Sequence, residues 1–149
     1  MWERFRQGRI PDEQLPEAII AAWTGAEDPY PSLRGKQWRT MFEHSGFLRD
    51  GKPADKPTDA PTLWRGALFP TQPVSWTADR DLAVWFAERN VERHGWGYLL
   101  RLDAERVPLE DLRMVNTADD PHLHRGEDEW VFVPLRKVSA RLVVEEERQ

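Results

Sequence analysis

The chain has no cysteine, which excludes disulfide scaffolds, thiolate metal sites and cysteine nucleophiles. It also has no long apolar run. The longest, Ala18 to Trp23, falls far short of the ~20 residues a membrane-spanning helix needs. Positive charge is not in excess either: 21 Lys and Arg stand against 26 Asp and Glu, a net charge of −5. That balance argues against a nucleic-acid binder built on a broad basic surface, although it leaves room for a local basic groove. The start, Met1-Trp2-Glu3-Arg4-Phe5-Arg6, lacks the apolar core of a signal peptide. Together these absences predict a soluble protein of the cytoplasm.

What the chain does have is enough length, 149 residues, for one domain with a real core, and eight tryptophans to fill it. Trp76, Trp85 and Trp130 read as core anchors. Residues 1–61 read as a helical N-terminal part and linker, and 62–149 as a β-rich core. Pro16, Ile19, Ile20, Trp23 and Gly25 predict a helix over about 16–24, and Leu33 to His44 a second one ended by Gly46. Arg49 to Thr62, with Gly51, Pro53, Pro57 and Pro61, reads as a loop or linker.

Beyond it the character changes to strands: 63–67, 73–77, 97–102, 113–115, 127–133 and 138–144. One helix interrupts them, from about Arg80 to Asn90, with Asp79 as its N-cap. Helices first and mostly strands afterwards, with little βαβ alternation, predict an α+β fold with antiparallel sheet.

Three segments carry chemistry. In Glu127-Asp128-Glu129-Trp130-Val131-Phe132-Val133, strand alternation puts Glu127 and Glu129 on one face about 7 Å apart, with Asp128 on the other. Two carboxylates so close are costly unless a cation is meant to sit between them. In Leu63-Trp64-Arg65-Gly66-Ala67, Arg65 is a permanent cation inside an apolar strand. Its fork suits phosphate or carboxylate, and Gly66 lets a ligand approach the backbone. In Ser75-Trp76-Thr77 the two hydroxyls share one face and can hold a carboxylate in a fixed rotamer, while Trp76 packs behind. Taken singly, each has a plainer reading: a structural salt bridge from Arg65 to Glu129, helix capping by Thr77, or exposed acids on an edge strand.

As an ordered set, Trp64-Arg65-Gly66, Ser75-Trp76-Thr77 and Glu127-Asp128-Glu129 resemble the Arg-Ser-Glu class of the ADP-ribosyltransferase superfamily. The helix from Asp79 to Ala87, with Trp85-Phe86-Ala87, is similar to the one that follows the second motif there. The likeness covers about residues 62–145. It implies N-terminal helices packed on two antiparallel sheets that form an NAD cleft, and transfer of ADP-ribose to a macromolecular acceptor without a metal. It implies further that Arg65 contacts the phosphates and ribose of NAD, that the Gly66 backbone meets the carboxamide, and that Ser75 orients Glu129. Glu129 would stabilise the oxocarbenium ion as nicotinamide leaves. Thr77, Trp76 and Phe86 would help line the cleft. Glu127 would act on the acceptor side, favouring a protein arginine over nucleic acid, and Asp128 would fall outside the site. The loop over about 115–126 would recognise the target.

Other readings compete with this one. His122 and His124 ahead of Glu127 and Glu129 raise a metal site, but they sit in a loop without a complete ligand set. A glycoside hydrolase would use the two carboxylates yet leave Arg65 unexplained. An NAD glycohydrolase needs the Arg-Ser-Glu set without Glu127. A non-catalytic binding module would have no use for Glu129. A toxin, with or without a neutralising partner, a phage-encoded modifier and a housekeeping regulator all fit as biological roles.

Overall fold

The computed structural model describes residues 1–24, 35–70, 75–117, 128–133 and 142–149. The helices are α1 (Trp2–Arg6), α2 (Leu15–Thr24), α3 (Gly35–Ser45) and α4 (Arg80–His94). The strands are β1 (Leu48–Arg49), β2 (Lys52–Pro53), β3 (Leu63–Ala67), β4 (Ser75–Thr77), β5 (Gly97–Leu102), β6 (Leu112–Asn116), β7 (Glu129–Phe132) and β8 (Val143–Arg148). The fold class is α+β.

Among the described residues the strands form one mixed sheet rather than the two antiparallel sheets expected. Their order is β2-β1-β6-β7-β4-β3-β5-β8, and β1 runs parallel to β6 while every other pair is antiparallel. The join is β4. It pairs with β7 at Ser75–Val131, Trp76–Trp130 and Thr77–Glu129, but with β3 only at Trp64–Thr77. Among the described residues that is the one pairing between β3 and β4, so the sheet is thinly joined where the site lies.

One face of the sheet carries the helices. Ile19, Ile20 and Trp23 of α2 and Trp38, Met41 and Phe42 of α3 bury themselves against Leu48, Met114 and Val131. These are the positions that helical spacing marks as apolar, so tertiary burial and local periodicity agree. Helix α4 sits farther along, pressed on β3 and β5, and there small residues replace large ones. A Cβ on Gly66 would lie 2.2 Å from the Ala83 carbonyl oxygen, and one on Gly97 would lie 2.4 Å from that of Ala87. Side chains at either strand position would push the helix away. The opposite face has its own core of Leu63, Trp76, Leu100, Trp130 and Phe132.

Three further expectations need correction, and one element is new. The span read as a linker contains the β1–β2 hairpin, turned by Asp50 and Gly51 at φ 51° and 76°, the two positive values of a type I′ turn. Trp85 is no core anchor: at 44% exposure its ring stacks under the Arg89 guanidinium, 5.1 Å from the ring centre. The short helix α1 was not foreseen. The last strand, expected over 138–144, runs over Val143–Arg148, and 138–141 of the expected span lie outside the described residues. Its acids carry no hydropathic signal, because arginines hold them in place. Glu145 meets Arg80 and Arg101, and Glu146 meets Arg80 and Arg148.

Candidate active site

The cleft lies beside α4, above β4 and the start of β7. It is small and partly open, with about 30 Å³ of enclosed space. Ser75, Thr77 and Glu129 form its floor, and Leu82, Ala83 and Phe86 of α4 form one wall. Strand register explains the floor. Thr77 and Glu129 are directly opposed across β4 and β7, and Asn116 is opposed to Glu129 across β6 and β7, so all three project from one face.

Glu129 is half-buried and its carboxylate is held on both sides. Ser75 donates its hydroxyl to Oε2 at 2.7 Å, and Asn116 donates Nδ2 to Oε1 at 3.0 Å. The indole Nε1 of Trp23 donates to Oε2 at 3.4 Å, a longer contact from α2. All three donors are neutral, so they fix the rotamer without cancelling the charge.

Arg65 is the delicate case. Alternation along β3 puts its Cβ on the face away from Trp64, and hence away from Thr77 and Glu129, so backbone direction alone would divide the arginine from the glutamate. The described ladder between β3 and β4 has no pairing at Arg65, however. Arg65 borders the same cleft as Glu129, and its Nη1 donates to the Ser75 carbonyl oxygen at 3.3 Å.

The remaining sequence candidates fall out unevenly. Gly66 borders the cleft, but its missing side chain makes room for α4. Thr77 is 9% exposed and its Oγ1 accepts from the Asp79 amide at 3.0 Å, leading the chain from β4 into α4. Trp76 borders the floor while its ring lies in the opposite core at 1% exposure, so it presents no open aromatic surface to a ligand. Phe86 is half-buried in the helical wall. Asp128, assigned by alternation to the far side, borders the cleft, because it precedes β7 and its regular pleat. Glu127, His122 and His124 lie outside the described residues, as does most of the loop expected to recognise a target. Among the described residues no group of three or more His, Asp or Glu is placed to hold a metal ion.

Trp23 and Asn116 were not singled out from the sequence. Trp23 was read only as part of an apolar helix face, yet a buried indole needs an acceptor for its N–H. Asn116 ends a strand that hydropathy places only roughly. Compared with protein-family models, curated proteins and solved structures, the chain matches none.

Proposed function

We propose that the protein is a mono-ADP-ribosyltransferase that moves ADP-ribose from NAD to a macromolecular acceptor, with a protein arginine favoured, and releases nicotinamide. The observation that carries this reading is the Glu129 carboxylate, fixed from both sides by Ser75 at 2.7 Å and Asn116 at 3.0 Å at the floor of a cleft that Arg65 also borders. As the bond from ribose C1′ to the nicotinamide nitrogen breaks, positive charge develops on the sugar. A pre-set, unneutralised carboxylate stabilises that charge without having to reorganise. The Arg65 guanidinium suits the pyrophosphate. Leu82 and Phe86 supply an apolar wall for the departing ring. The cleft, with about 30 Å³ of enclosed space, is far smaller than small-molecule sites, so most of a bound NAD would lie outside it. Glu127 takes the proton from the attacking arginine nitrogen as the new bond to C1′ forms.

The test is incubation of the protein with tagged NAD and cell lysate, followed by protease or nuclease. Label removed by protease supports a protein acceptor, and label removed by nuclease moves the acceptor to nucleic acid. Nicotinamide release with no labelled acceptor makes the enzyme an NAD glycohydrolase. Glu129→Gln should lower labelling by about 10²–10³-fold while the circular dichroism spectrum is unchanged. Labelling at the wild-type level by that variant would end the proposal.

A further inference from the structure

Asn116 is an unusual choice for the end of β6. Its side chain is 0% exposed, and among the described residues nothing donates to its Oδ1. A buried amide acceptor left unpaired destabilises a fold, and an aliphatic side chain of similar size would avoid the penalty. Packing therefore gives no reason for an amide here. Its other end does. Nδ2 donates to Glu129 Oε1 at 3.0 Å, and turning the amide over would set oxygen against oxygen, so Glu129 itself fixes the orientation.

The alternatives at this position are also informative. An aspartate would bring a second negative charge against Glu129. A lysine or arginine would hold the carboxylate but form an ion pair with it, weakening its effect on a cation in the cleft. A neutral donor holds the group and leaves its charge available. Ser75, on β4, treats the other oxygen in the same way at 2.7 Å. The two donors come from the strands on either side of β7, both positioned by its ladder.

We infer that Asn116 is a positioning residue that clamps the second oxygen of Glu129, so that the carboxylate is locked between β4 and β6 by neutral donors rather than by an ion pair. The inference rests on the catalytic reading of Glu129 for its kinetic consequence, but not for its structural one. The deciding variant is Asn116→Leu, with Asn116→Asp beside it. Crystal structures of the wild type and of Asn116→Leu should show the Glu129 carboxylate in one orientation in the first and spread over several in the second. Nicotinamide release by Asn116→Leu should fall about 10–100-fold in kcat with KM for NAD within about twofold, and its melting temperature should equal or exceed that of the wild type. Asn116→Asp should lose at least as much rate, since it replaces a donor with a charge. In a Glu129→Gln background, Asn116→Leu should cost nothing further in rate.

A single unchanged Glu129 orientation in Asn116→Leu would overturn the inference, and so would a rate loss fully matched by lost stability. If the wild type released no nicotinamide, the proposed function would fall. The carboxylate orientation would still decide the clamp.

Discussion

The two helical covers on one face of the sheet are held by opposite means. Over β1, β6 and β7, α2 and α3 bury large side chains: Trp38 packs edge-on to Trp23 at 5.2 Å between ring centres and leans on Phe42 at 6.0 Å. Over β3 and β5, α4 brings Ala83 and Ala87 down onto Gly66 and Gly97 with almost nothing between helix and strand. The first cover draws its stability from apolar area, the second from closeness. They should fail differently, the first when volume is removed and the second when it is added. The cleft lies against the second cover and the first reaches its floor through Trp23, so each contributes something the other cannot. Residues 65–87 bring the arginine, the serine and the apolar wall, while the N-terminal cover brings the Trp23 donor to Glu129.

The largest effect is expected from Trp38→Ala. Deleting a fully buried indole should cost about 3–5 kcal/mol and lower the melting point by about 10 °C or more. Because Trp38 supports Trp23, nicotinamide release should fall as well. A drop of only a degree or two would mean that α3 is an accessory layer. Gly66→Ala comes next, at about 1–3 kcal/mol, because the added methyl would meet the Ala83 carbonyl and the Ala87 amide. Gly97→Ala pushes on the same helix. The double variant should therefore lose less than the sum of the singles in chemical denaturation. Full additivity would show that the two glycines answer to different parts of α4, and the contrast between the covers would weaken.

The α4 side was the more legible in the sequence, for a physical reason. Arg65, Gly66, Ser75 and Thr77 are close together in the chain, and Asp79 marks the start of the helix by its own chemistry. Its N-cap bond to the Leu82 amide, at 3.2 Å, is the one a sequence rule anticipates. The other side depends on partners far apart. Trp23 and Glu129 are separated by 106 positions, and only the finished ladder sets Asn116 opposite Glu129. Local pattern gives the helices and most strands their places. It does not tell that β4 would join the two halves into one sheet, because that depends on pairings rather than on propensity. The Asp50–Gly51 hairpin is a different kind of omission: the dipeptide is a strong turn signal, masked by the prolines around it. Asp50 also reaches across to the Thr117 amide at 2.7 Å, tying the hairpin to the end of β6 beside Asn116.

The smallest effect tests how firmly the α4 wall is tethered. Two side chains guide the chain from β4 into the helix: Thr77 accepts from the Asp79 amide, and Asp79 accepts from the Leu82 amide. Asp79→Ala removes the second and should cost about 1 kcal/mol, read as a shift in the denaturation midpoint with an unchanged slope. Asp79→Asn retains an acceptor of nearly equal rank and should cost almost nothing, which separates the hydrogen bond from the charge. Leu82 and Phe86 follow directly from this cap, so fraying of the first turn should raise KM for NAD before it touches kcat. If kcat fell instead, the cap would be serving Glu129 through β4, and the two covers would be mechanically one.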